Sequence, residues 1–175
     1  MISTRRRVLG AAFLLPLEAF AQSCGVVTPR QTEGPFFTPN SPKRISLVEK
    51  ESNAPRLVLV GTVLSAQCKP VPNALLDFWH SDEEGAYDNR GFRYRGHQHA
   101  DAQGRYRLET IIPAQYPGRT RHIHVKVQAP GRRVLTTQIY FPGDPGNQRD
   151  FLYRPELEMK KAGAEEASFD FIVEA

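Results

Sequence analysis

Apolar residues recur at every second position through much of this chain. In 122–128 (HIHVKVQ), Ile123, Val125 and Val127 fall on one side and His122, His124 and Lys126 on the other. That is the period of a half-buried strand. Residues 104–111 (GRYRLETI) alternate in the same way, with Tyr106, Leu108 and Thr110 opposite Arg105, Arg107 and Glu109. The runs 57–65 (LVLVGTVLS), 74–80 (ALLDFWH), 134–141 and 168–173 supply further candidate strands. Turn clusters separate them, Lys69-Pro70-Val71-Pro72-Asn73 being the clearest. Only residues 155–166 read as helical, and briefly. The pattern predicts an all-β fold, an antiparallel β-sandwich with one or two short helices. Residues 22–56, rich in Pro, Ser and Thr, predict an extended N-terminal arm on a sandwich built by 57–175.

Composition agrees. A chain of 175 residues suits one domain with a core of its own, and 14 prolines exclude an all-helical bundle. The formal charge of +4 invites a polyanionic partner, so its location matters. Arg5, Arg6 and Arg7 precede an apolar run, 8–17, and Ala19-Phe20-Ala21. This order reads as a signal peptide over residues 1–21, and Thr4-Arg5-Arg6-Arg7-Val8-Leu9 resembles the twin-arginine export signal. An amphipathic first helix is the alternative. Residues 22–175 then carry 20 Lys and Arg against 18 Asp and Glu, a net charge of +2. That is a poor nucleic-acid footprint, and no nucleic-acid partner is expected. The run 8–17 is too short to span a bilayer, so no membrane span is expected in the mature form. The expected location is periplasmic or extracellular. There Cys24 and Cys68 form one plausible disulfide, two unpaired thiols being the alternative.

The candidate chemistry begins with His122 and His124. Period 2 sends both imidazoles to one face of a strand, a natural bidentate metal clamp, although such pairs are as often packing or surface residues. A second pair, His97 and His99, lies in RYRGHQHADAQG, a Gly- and charge-rich stretch that reads as an exposed turn with solvated histidines. Upstream of the first pair lie Tyr116, in AQYPGR, and Tyr87, in FWHSDEEGAY.

FWHSDEEGAY, AQYPGRTRHIHVKV and TTQIYFPGDP, with TEGPFF at 32–37, resemble segments of the intradiol ring-cleavage dioxygenases, the family of protocatechuate 3,4-dioxygenase and catechol 1,2-dioxygenase. The resemblance implies a non-haem Fe(III) held by Tyr87, Tyr116, His122 and His124. It also implies catalytic roles for Arg119, Gln138 and Tyr116. Phenolate is a hard anionic oxygen donor that favours ferric iron, whereas zinc sites draw on Cys, His and carboxylate. The implied reaction is cleavage of a catechol by O2 to a cis,cis-muconate-type diacid. Tyr116 would leave the metal and take a substrate proton, and Arg119, held by Gln138, would face the charge developing on the ring. Catechol and O2 are the implied partners, with a homo-oligomer left open. Arg93, Arg95, Arg121, Arg132 and Arg133 are candidates to attract a substrate carboxylate, or a solvated basic face. Two other readings stand beside this one. Gly61-Thr62-Val63 and Ala102-Gln103-Gly104-Arg105-Tyr106 also resemble non-enzymatic transthyretin-like sandwich modules. A periplasmic metal-binding protein would use His97, His99, His122 and His124.

Overall fold

The computed structural model describes residues 24–175, so the predicted signal peptide lies outside the described residues. The described strands are β1 (Arg56–Ser65), β2 (Leu75–Trp79), β3 (Arg95–His99), β4 (Arg105–Ile111), β5 (His122–Gln128), β6 (Leu135–Tyr140), β7 (Lys160–Lys161), β8 (Glu166–Ser168) and β9 (Phe171–Val173). They form two sheets. One runs β4-β1-β8-β7, with β9 also on β1, and the other runs β3-β2-β5-β6. The second sheet is antiparallel throughout. In the first, β1 pairs antiparallel with β4 and parallel with β8 and β9.

The period-2 apolar positions meet between the sheets. Leu59 and Val63 of β1, Leu76 and Phe78 of β2, Leu108 of β4, and Ile123, Val125 and Val127 of β5 are fully buried there. Each such side chain contributes about 1.5–3 kcal/mol of transfer free energy. Gly61 marks the point where β1 changes partner from β8 to β9. A Cβ there would stand 1.8 Å from the Phe169 carbonyl oxygen, so only glycine allows the crossing chain to lie this close.

The arm closes the sandwich. Thr28 N–H donates to the Ile172 carbonyl and Gln31 N–H to the Thr136 carbonyl, on the outer edge of β6. Residues 42–47 then run along β3 and β4, through His97 N–H to the Pro42 carbonyl and Leu47 N–H to the Glu109 carbonyl. Edges that would be open templates for another strand are thereby covered. A Cys24–Cys68 disulfide fixes the start of the arm.

Two local expectations are corrected. Residues 155–166 form no α-helix. A 3-10 turn, Pro155–Leu157, leads into β7, and Ala162 and Gly163 N–H both turn back onto the Glu166 carbonyl. The buried residues Leu157 and Met159 are two apart, a strand spacing that the flanking charges hide. The stretch read as an exposed turn is strand β3. Its polar residues find partners, His97 with Ser41 and Gln98 with Arg107, so a sequence without apolar alternation still pairs.

Candidate metal centre

The outer face of the second sheet carries the predicted residues. Register aligns Arg95, Trp79, His124 and Gln138 in one row across all four strands. His122 and Tyr140 form the neighbouring pair on that face. Trp79 stacks on the His124 ring, with centroids 4.8 Å apart and planes 8° apart, and so fixes its plane.

The imidazoles converge. His122 Nδ1 lies 2.7 Å from the Thr120 carbonyl, which can only accept, so its proton sits on Nδ1 and Nε2 carries a lone pair. Nε2 of His122 and Nε2 of His124 are 3.1 Å apart. Either His124 Nε2–H donates to His122, or a cation lies against both lone pairs. His124 Nδ1 is buried without a partner, so the protein does not dictate which. Burial, then Arg119, lowers His122 to about 4. Burial, then His122, holds His124 well below the usual range, so both rings are neutral, as metal ligands must be.

The phenols arrive on two loops stitched together. Ala114 N–H donates to the Asp82 carbonyl, and Ser81 Oγ donates to the Ala114 carbonyl. The Tyr87 hydroxyl is 3.5 Å from His122 Nε2. Phe36 of the arm stacks on Tyr87 at 4.4 Å, and the Tyr116 ring meets Tyr87 edge-on at 5.8 Å. Burial, then Tyr116, pushes the Tyr87 phenol well above its ordinary range, against the pull of Arg119 and Arg95. Tyr116-Pro117-Gly118-Arg119 is a tight turn closed by Arg119 N–H to the Tyr116 carbonyl, 3.0 Å. Gly118, at φ +81°, supplies the left-handed conformation this turn requires. The turn brings Arg119 Nη1 to 3.4 Å from the Tyr116 hydroxyl.

Arg119 is held from two other sides. Nε donates to Asp150 Oδ2 at 2.9 Å, and Nη2 donates to Gln138 Oε1 at 2.5 Å. Gln138 is fully buried, and its amide nitrogen donates to the Thr32 carbonyl. Gly34 lies over the imidazole, a Cβ there falling 3.5 Å from His124 Cε1. The segment Thr32–Phe37 is therefore part of the centre. A cavity of about 490 Å³ opens beside it, lined by Tyr116, Arg119, Thr120, Arg149 and Asp150 among others.

All six predicted site residues thus come together: Tyr87, Tyr116, Arg119, His122, His124 and Gln138. Two imine nitrogens and two phenol oxygens could hold a metal ion. Among the described residues no group of three His, Cys, Asp or Glu is arranged to do so, and the four-histidine arrangement is not formed. His97 and His99 sit on β3, His97 half-buried against the Ser41 carbonyl and His99 exposed. Arg95, read as one of a basic surface group, is buried with 1% exposure. Asp150 was missed because nothing local marks it, its contact with Arg119 spanning 31 residues. Strand pairing of β3 with β2 would place Arg95 in the same outer-face row as Trp79 and His124.

Comparison with known proteins bears on the same residues. A family model described as Dioxygenase matches residues 32–172. Catechol 1,2-dioxygenase of Acinetobacter baylyi is 34% identical over 155 residues, 72% of this chain and 50% of its own length. Chlorocatechol 1,2-dioxygenase of a Pseudomonas species is 31% identical over 173 residues, 81% of this chain and 68% of its own. The chain spans about half the length of the first curated relatives it matches. The solved dioxygenase domain of a dioxygenase carbohydrate-binding fusion from Streptomyces sp. SirexAA-E is 53% identical, with a TM-score of 0.81 over 85% of this chain and 99% of that one. With the matched segment running from the arm that covers the two tyrosines and two histidines to the last strand, the chain belongs to the intradiol ring-cleavage dioxygenase family.

Proposed function

We propose that this protein is a non-haem Fe(III) intradiol dioxygenase, opening a catechol between its hydroxyl-bearing carbons and placing both atoms of O2 in a cis,cis-muconate-type diacid. The observation that carries the reading is the convergence of His122 Nε2, His124 Nε2 and the Tyr87 phenol, with the Tyr116 ring 5.8 Å from the His122 ring and its hydroxyl beside Arg119. Hard phenolate oxygen with neutral imidazole is a donor set suited to ferric iron. When bound, the ferric ion supplies a Lewis acid that holds the catecholate and makes its ring open to O2.

The side chains divide the remaining work. Tyr116, half-buried on a turn beside the cavity, would be one of the two phenols that hold the metal, and its oxygen would be the one to take up a substrate proton. Tyr87, walled by Phe36, stays in place with His122 and His124. Arg119 presents a fixed positive charge to the anion developing on the ring, and Asp150 and Gln138 prevent it from turning away. The arm excludes water from the imidazole side.

The names of the relatives define the assay panel: catechol, chlorocatechol and hydroxyquinol. Purified protein supplied with Fe(III) should be red-brown and should consume one O2 for each diacid formed. Colourless protein with no O2 uptake on any of the three overturns the reading. We propose further that the protein is exported, to the periplasm or beyond the cell, on the strength of the twin-arginine-like segment in residues 1–21. The Cys24–Cys68 disulfide supports an oxidising compartment. Fractionation of expressing cells should recover the protein in the periplasm or medium, and recovery only in the cytoplasm overturns that location.

A further inference from the structure

Arg95 is a cation buried at the centre without a direct counter-ion. It is 1% exposed, yet no carboxylate of the described residues stands within ion-pair distance of it. Asp77 and Asp88 act on it only from farther away. The Asp88 carboxylate is engaged by the N–H groups of Arg90, Gly91 and Arg93. All three nitrogens of the guanidinium donate to main-chain carbonyls instead. Nε and Nη2 both reach Asp88, at 3.0 and 2.8 Å, and Nη1 reaches Phe36 at 2.6 Å. Burying a charge in this way is costly, and a Leu or Met would fill the volume without that cost.

The two carbonyls are informative. Asp88 is the residue after Tyr87. Phe36 is the residue whose ring stacks on Tyr87. The guanidinium carbon itself lies 5.9 Å from the Tyr87 ring centroid. One side chain therefore grips the backbone behind the phenol, the backbone of the ring that backs it, and the space beneath it. Arg95 also starts β3 in the row that holds Trp79 and His124, so the grip is referred to the same strands that carry the imidazoles.

We propose that Arg95 is a positioning residue for Tyr87, riveting the arm to the Tyr87 loop so that the phenol oxygen stands against His122 Nε2, with a permanent positive charge behind an anionic ligand. The proposal rests on Tyr87 being a metal ligand. It extends that reading to a residue outside the donor set and across the sheet from the catalytic Arg119.

The test follows Fe(III) retention, read as the rate at which a chelator strips iron, and the visible absorption of the loaded protein. Arg95→Lys keeps the charge and loses the fork, and Arg95→Met loses both. Each should release iron roughly 10–100-fold faster than the parent and shift the visible band, since residues that orient metal ligands have effects of that size. In a Tyr87→Phe background, Arg95→Lys should change the release rate less than twofold, because the ligand it serves is gone. An Arg95→Lys protein that melts cooperatively and holds iron as the parent does overturns the proposal. So does an equal loss with and without Tyr87, which would mark a merely structural role. A parent that takes up no Fe(III) overturns the ligand reading, and the proposal with it. Should Arg95→Met fail to fold, the Arg95→Lys pair decides alone.

Discussion

Asp150 contributes nothing to the donor set, yet it decides where Arg119 points. Its Oδ2 takes both the Arg119 Nε–H and the Thr120 N–H, so one carboxylate fixes the guanidinium and the start of the histidine strand together. A charge held this firmly costs little reorganisation when an anion develops beside it. Arg119→Met should lower kcat about 100- to 1000-fold with iron content unchanged, measured by O2 uptake beside metal analysis. An equal loss of iron would place Arg119 in metal binding instead. A second residue-scale consequence concerns His80. It is buried, its Nδ1 donating to the Ser81 carbonyl and its Nε2 accepting from Thr110 Oγ1, and burial lowers it to about 4. Its ordinary value is 6.5, so between 6.5 and 4 an unfolded chain binds a proton that the folded chain refuses. Stability is full above pH 6.5 and falls as the pH drops toward 4, by about 3 kcal/mol from this side chain. The urea unfolding free energy of iron-stripped protein should fall over that window, with His122 and His124 adding to the slope, and His80→Gln should make it shallower by the His80 share alone. The histidines and tyrosines of the centre were legible because a strand period and a turn motif present them in consecutive segments. Asp150 and Arg95 were not, because their meaning lies in partners brought near only by the fold.

At the scale of the element, register carries the chemistry. Slipping β5 by one position against β2 and β6 would turn His122 and His124 into the core and Ile123 and Val125 out of it. The apolar alternation that makes β5 a strand is thus the same property that aims its imidazoles. The strands with clean alternation were found within a residue of their ends, β5 at its observed bounds. Strand β3 was missed because its burial is supplied by the arm. Gly96 leaves room there for Leu47 and Arg44, whose side chains a Cβ would meet at 2.7 and 2.8 Å. The tail was misread because short strands β7 and β8 have too few apolar positions to set a period. Gly61 provides an element-scale test. Gly61→Ala places a methyl against the Phe169 carbonyl and the Tyr106 ring, and should destabilise by roughly 3 kcal/mol in urea titration. A change below about 1 kcal/mol would mean that β8 and β9 separate at no cost.

For the whole molecule, the arm joins what the sheets leave apart. It is tied by a disulfide at one end and by strand edges along its length, and it crosses the centre in between. The Cys24–Cys68 bond closes a separation of 44 residues, for which loop entropy predicts about 4 kcal/mol. Replacing both cysteines with serine should lower the urea midpoint accordingly, and an unchanged midpoint would show that hydrogen bonds alone hold the arm. The fold class was readable from the period of the strands. The arm's part in the centre was not, since the motif TEGPFF has no period and acts through Thr32, Gly34 and Phe36 on groups far along the chain. Its double duty ties two selective pressures together. A chain whose arm has not docked lacks the finished form of the proposed metal centre and at the same moment shows neighbouring molecules bare strand edges on both sheets. Failure to become active and failure to stay dispersed are then one event, so the soluble fraction of a preparation is already enriched in molecules with a finished centre.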